Sequence, residues 1–151
     1  MRYTVAYRLK GGKKWTYFST TACNYTFKNL KVKSTYQFRV QAVSPFGAGA
    51  YSATVSKQAL PPTPGSVKVQ RISAKSAEVS WSKSQGFTGY YILRSTDKNF
   101  KKNVKKITVK SNKALSYTDK SVKKGTRYYY KVCRYTGKTG GSYSKTVSVK
   151  I

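Results

Sequence analysis

Histidine is absent from this 151-residue chain, and carboxylates nearly so: Glu78, Asp97 and Asp119 are the only three. Without histidine there is no Ser-His-Asp or Cys-His nucleophile system and no His-ligated metal site. Three scattered acids do not supply the facing carboxylate pair of a glycosidase, nor the several oxygen ligands of a hard-cation site. General acid–base work needs a group titrating near neutrality, and none here does so at its ordinary pKa. The chain therefore reads as non-enzymatic and free of cofactors. Cys23 and Cys133 are the only cysteines, too few for a disulfide framework. Long hydrophobic runs are missing as well: nothing approaches the ~18 apolar residues of a membrane span, and no signal-peptide core follows Met1.

What is present is positive charge. Lys and Arg total 31 against 3 acids, a net +28, and mean hydropathy is −0.59. The split is 24 lysines to 7 arginines. That bias favours a hydrated surface, since sites that grip phosphate or guanine prefer the planar arginine fork.

Period-two alternation dominates. Tyr3, Val5 and Tyr7 alternate with Thr4 and Ala6, and Tyr36, Phe38, Val40 and Ala42 with Gln37, Arg39 and Gln41. Ala77, Val79 and Trp81 repeat the pattern, as do Ile107 with Val109 and Tyr128 with Tyr130 and Val132. Gly11-Gly12, Pro45-Phe46-Gly47, Lys124-Gly125 and Gly140-Gly141 punctuate these runs as turns. Short Tyr/Val/Thr/Ile-rich strands between turns predict an all-β sandwich or barrel.

The chain is also an internal repeat. An offset of 92 places Tyr25-Thr26 on Tyr117-Thr118, Leu30 on Val122 and Tyr36 on Tyr128. The same offset places Phe38 on Tyr130, Val40 on Val132 and Tyr51-Ser52 on Tyr143-Ser144. An offset of 87 aligns Tyr7-Arg8 with Arg94-Ser95, so the second copy carries five extra residues between. Residues 59–64 (Ala-Leu-Pro-Pro-Thr-Pro) read as a stiff proline-rich linker between copies 1–58 and 65–151.

The second copy resembles a fibronectin type III module. Ser66–Val69 stands as strand A, Ala77–Trp81 as strand B ending in a core tryptophan, and Gly89–Ile92 as strand C. Val122 and Tyr128 match the family's tyrosine corner, and Gly141-Ser142-Tyr143-Ser144 its lead into strand G. The stretch Gly89–Phe100, with Ser95–Phe100, is similar to lysine-rich modules of secreted and wall-attached Gram-positive proteins. The resemblance implies two tandem immunoglobulin-like β-sandwiches, each copy a pair of stacked antiparallel sheets. The first copy begins at strand C and lacks strands A and B. Either Met1 is not a natural start, or the half-module borrows its missing strands from another chain.

The resemblance gives Trp81, Leu30, Tyr36, Val122 and Tyr128 structural roles rather than binding ones. Tyr129 and Cys133 fall on the outward side of their strand, and both cysteines are expected as free thiols. Lys98, Lys101, Lys102, Lys105, Lys106, Lys110 and Lys113 form a candidate polyanion surface, or a solvated face that blocks edge pairing. Nucleic acid is disfavoured as partner: arginines are few and no reading motif appears. The resulting expectation is a non-catalytic extracellular spacer or adhesion segment of a bacterial surface protein, secreted or wall-associated. Its partners would be the parent protein's other domains and anionic polysaccharide or teichoic acid. The competing reading is an accessory module of a secreted polysaccharide-degrading enzyme.

Overall fold

The computed structural model describes residues 1–151 and consists of strands and turns without a helix. It divides into two compact units, Met1–Ala59 and Leu60–Ile151.

The second unit carries β6 (Lys68–Ser73), β7 (Ser76–Ser80), β8 (Gly89–Ser95), β9 (Lys105–Val109) and β10 (Ser116–Asp119). β11 (Arg127–Thr136), β12 (Thr139–Gly140) and β13 (Val147–Lys150) complete it. Strands β10-β7-β6 make one antiparallel sheet; β12-β11-β8-β9, with β13 also on β11, make the other. Alternation puts Ala77, Val79, Trp81, Tyr90, Ile92, Tyr130 and Val132 into one core, each at most 4% exposed. Trp81 directly follows β7, its indole 4.6 Å from the Tyr90 ring, and its Nε1 donates to the Ala114 carbonyl at 2.9 Å. Its polar atom is thus satisfied at no loss of packing. Gly89 opens β8 because a Cβ there would strike the Val109 carbonyl oxygen.

The first unit carries β1 (Arg2–Leu9), β2 (Thr16–Thr20), β3 (Thr35–Ser44), β4 (Gly47–Tyr51) and β5 (Val55–Gln58). They form one sheet, β2-β1-β3-β4, with β5 also on β3. The pair of stacked sheets expected for each copy is therefore found only in the second. Residues 1–59 contain no counterpart of β6 and β7, and the difference reaches strand E. In the second unit strand E (β10) pairs only with β7, through Tyr117↔Val79 and Thr118↔Glu78. The matching residues 24–27 have no such strand beside them within residues 1–59, and they form no strand.

Several local devices recur in both units. The Tyr36 hydroxyl accepts the Lys31 amide at 3.0 Å, and that of Tyr128 accepts the Lys123 amide at 3.1 Å. Each tyrosine thereby ties its strand to the chain five residues upstream. Tyr128 and Val122 are buried, whereas Tyr36 and Leu30 are half-buried beneath the uncovered face. Ser52 and Ser144 each donate a backbone N–H to the carbonyl of Val40 or Val132 at 2.8 Å. Their hydroxyls accept the same residues' amides at 3.1 Å. The serine side chain supplies an acceptor where strand G breaks, satisfying the ladder across the kink.

Where the two units differ, they differ in concert. In the second, Asp119 is 1% exposed and accepts from Arg94 (3.0 Å), the Ser121 hydroxyl (2.7 Å), the Ser121 amide (3.0 Å) and the Tyr130 hydroxyl (3.1 Å). At the corresponding positions the first unit has Tyr7 for Arg94, Phe27 for Asp119 and Phe38 for Tyr130. Those rings cluster, with Phe27 5.0 Å from both Tyr7 and Phe38. One repeat fills this corner with a satisfied polar network, the other with aromatics.

Two placements depart from expectation. Residues 61–64 are held against the second unit rather than standing free: Pro61 and Pro64 are buried, and Arg134 donates to the Pro62 and Thr63 carbonyls at 3.2 and 3.3 Å. A Cβ on Gly141 would strike the Pro61 carbonyl, so only glycine admits this approach. Cys133, expected outward, is 1% exposed, and Tyr129 beside it is half-buried. Alternation does put Cys133 on the sheet's outer side, but that side is roofed. Tyr91 stacks on Tyr135 at 4.2 Å, and Gly140 and Tyr143 cross over the thiol. Burial pushes the thiol's pKa up, against a hydrogen bond with the Tyr143 side chain that pulls it down. Both cysteines are free, Cys23 exposed. A thiol reagent added to the native protein should therefore modify Cys23 at once and Cys133 only on unfolding. Two equally fast thiols would refute the roof.

Candidate functional site: a lysine-rich edge

All seven candidate lysines are exposed, but the fold separates them. Lys98, Lys101 and Lys102 lie on the β8–β9 loop, Lys105 and Lys106 on β9, and Lys110 and Lys113 beyond its far end. The five residues of β9 span about 16 Å at ~3.3 Å each, so the loop group and the distal pair sit at opposite ends of the edge strand. Within β9, alternation splits its two lysines between faces. Lys105 Nζ reaches the Ser121 hydroxyl (3.4 Å) on the core side, and Lys106 Nζ lies 3.6 Å above the Tyr91 ring on the outer side.

The loop that carries the first group is ordered by its own side chains. Asp97 accepts the amides of Asn99 (3.1 Å) and Lys101 (2.8 Å). The Ser95 hydroxyl donates to the Lys102 carbonyl (2.6 Å) and accepts the Asp97 amide (2.9 Å). Phe100 and Asn103 take left-handed backbone, φ 56° and 49°, which only such local bonding repays. The Asn99 amide, then that of Lys101, hold the Asp97 carboxyl below its ordinary pKa. Three ammonium groups are thus presented from a fixed loop.

The outer face adds residues that the charge run in the sequence did not single out. Lys131 Nζ lies 4.3 Å from the Phe100 ring and 5.4 Å from Tyr143, beside the Tyr91–Tyr135 stack. Their signal in the sequence was the alternation Tyr129, Lys131, Cys133, Tyr135 along β11. The first unit has a comparable ladder, with Trp15 between Arg8 (4.5 Å) and Arg39 (4.2 Å), and Tyr51 under Arg39 (4.0 Å).

The one salt bridge in the chain is Arg94–Asp119. Asp97 is the one carboxylate near the edge lysines, it forms no ion pair with them, and they outnumber it, so a net positive field projects into solvent. Such an edge attracts anions by charge density and gives no directional readout. It also protects β9, an edge strand, from pairing with another sheet.

Comparison with known proteins bears on the fold and family. The model for the fibronectin type III domain matches residues 1–58 and 61–150. Among curated proteins, Interference hedgehog of Drosophila willistoni is 29% identical over 149 residues, covering 89% of this chain and 17% of that protein. A chicken CNTN1 structure of domains FN1–FN3 superposes with a TM-score of 0.55 at 24% identity, over 98% of this chain and 55% of that one. A two-domain fibronectin type III segment of chicken tenascin gives 0.57 at 16% identity, over 100% and 85%. The chain thus spans under a fifth of the curated relative's length.

Proposed function

This chain belongs to the fibronectin type III family, and on that premise we propose that it is a non-catalytic spacer and adhesion segment of a larger extracellular protein. Modules of this family are typically adhesive or spacing units of extracellular and cell-surface proteins, and no helix here is long and apolar enough to cross a membrane. The observation that carries the reading further is the lysine edge of the second unit, whose positive charge exceeds that of its one nearby carboxylate, Asp97. Its natural contact is an anionic polymer such as teichoic acid or an acidic polysaccharide. A bacterial cell-surface setting rests on the lysine-for-arginine bias and on the Ser95–Phe100 loop; the relatives named above are animal proteins. Lysine suits this contact because a strongly hydrated point charge follows a flexible polyanion without demanding a fixed geometry.

Ionic strength tests the proposal. Replacing Lys98, Lys101 and Lys102 by glutamine should weaken binding to poly(glycerol phosphate) teichoic acid roughly tenfold at low salt and flatten the log K against log salt slope by about 0.7–0.9 per lost contact. Replacing Lys110 and Lys113 should cost less, because they stand apart from the ordered loop. An unchanged slope in the triple variant, or no binding by the parent chain at low salt, overturns the assignment.

A further inference from the structure

At one end of the second unit, the β7–β8 loop and the segment that follows β9 enclose a cavity of about 520 Å³. Its lining is Lys83, Ser84 and Gln85 from the loop, and Asn112, Lys113 and Leu115 from the segment. That volume falls within the roughly 300–1,000 Å³ of small-molecule sites.

The walls are tied to each other and to the core. The Trp81 amide donates to the Leu115 carbonyl and its Nε1 to that of Ala114, both at 2.9 Å. Asn112 Nδ2 crosses to the Phe87 carbonyl at 3.1 Å, joining segment to loop. The Ser82 amide and hydroxyl both donate to the Gly65 carbonyl, at 3.1 and 3.0 Å. A ligand therefore meets walls already in place, and little ordering is left to oppose binding.

The lining chemistry is selective. Lys83 and Lys113 bring two ammonium groups, and no carboxylate joins them. Asn112 commits Nδ2 to Phe87, which leaves its Oδ1 as an acceptor, and Gln85 carries a donor and an acceptor in one amide. A phosphate or sulfate group offers acceptor oxygens only and gives those amide oxygens nothing to accept. A sugar hydroxyl both donates and accepts, so a hydroxylated ring bearing a carboxylate suits the lysines and the amides together. Leu115, 47% exposed, adds an apolar patch for the ring's C–H face.

We propose that this cavity binds a hexuronate residue of an acidic polysaccharide. Lys83 and Lys113 take the carboxylate, Ser84, Gln85 and Asn112 the ring hydroxyls, and Leu115 the C–H face. The site goes beyond the polyanion reading above, because it recognises one monomer by its hydroxyls as well as its charge. It stands at the end of β9 away from the Ser95–Phe100 loop and needs none of that loop's lysines.

The probe is a trimer of galacturonate, titrated into the full 151-residue protein and followed by backbone amide NMR. Shifts should saturate at residues 83–85 and 112–115, and the methyl-esterified trimer should bind at least about tenfold more weakly. Lys83→Gln and Lys113→Gln should each cost about tenfold, and Gln85→Ala about fivefold. All three residues are exposed, so these variants should keep the parent's amide shifts in β8 and β11. Inorganic phosphate should bind at least about tenfold more weakly than the trimer and be indifferent to Gln85→Ala. The variant with glutamine at Lys98, Lys101 and Lys102 should bind the trimer as the parent does. The proposal fails if no shifts saturate around the cavity, if the ester or phosphate binds as tightly as the acid, or if the loop variant loses the trimer. The salt slope with teichoic acid is read separately, so either assignment can fail alone.

Discussion

Trp81→Ala should destabilise the second unit by about 3–5 kcal/mol, the usual cost of truncating a buried tryptophan. Three losses combine. The indole fills the space between the two sheets and packs at 4.6 Å on Tyr90, itself wholly buried. Its removal leaves a cavity bounded by strands that are hydrogen-bonded into separate sheets and cannot easily collapse. The Ala114 carbonyl also loses its donor. Native-state hydrogen exchange at β8 and β11 amides is the suitable readout, because it reports on this unit alone. Trp81→Phe, which keeps a ring but not the donor, should cost less than half as much. Unchanged protection in the alanine variant would mean that the indole does not bridge the sheets.

The second large effect concerns Asp119. Asp119→Asn should cost about 3–5 kcal/mol, because Arg94 is then left largely buried with no countercharge. Both are well covered, at 14% and 1% side-chain exposure. The pH dependence has a definite sign. Burial alone would raise the Asp119 pKa, but bonds from the Ser121 hydroxyl and amide and from Arg94 outweigh it, and the folded carboxyl lies below the ordinary 3.8. Its contribution is therefore complete above about pH 4 and fades as pH falls through the lower folded value. Urea midpoints taken from pH 5 downward should drop for the parent protein and stay flatter for Asp119→Asn.

The repeat itself supplies the control. Changing Arg94, Asp119 and Tyr130 together to the first unit's Tyr, Phe and Phe should recover most of the loss, within about 1–2 kcal/mol of the parent, since a buried ion pair and a well-packed apolar set are nearly equivalent in free energy. A triple variant no better than Asp119→Asn would show that the aromatic corner depends on the open face above it.

Much of this was legible in the residues. Period-two alternation, the 92-residue offset, the tyrosine six positions after Val122 and the Tyr-Ser pair before strand G were enough to place both copies. Each is a local pattern whose physical cause is local. Cys133 misled because alternation assigns a side of a strand and says nothing about what crosses that side; its roof comes from Gly140 on the returning arm of the β11–β12 hairpin and from Tyr143 just past it. The seven lysines read as one run because they are close in sequence, whereas a five-residue strand both separates them and turns alternate ones to opposite faces.

Composition and spacing, then, settled the β architecture and the tandem duplication, since these depend on which residues occur and at what period. Only the tertiary structure decided that residues 24–27, which match strand E, form no strand, that Pro61–Pro64 pack on the second unit, and that the first sheet keeps an open apolar floor. Those outcomes turn on which backbone edges find partners and which faces find cover, and pairing across the chain is not written in any one segment.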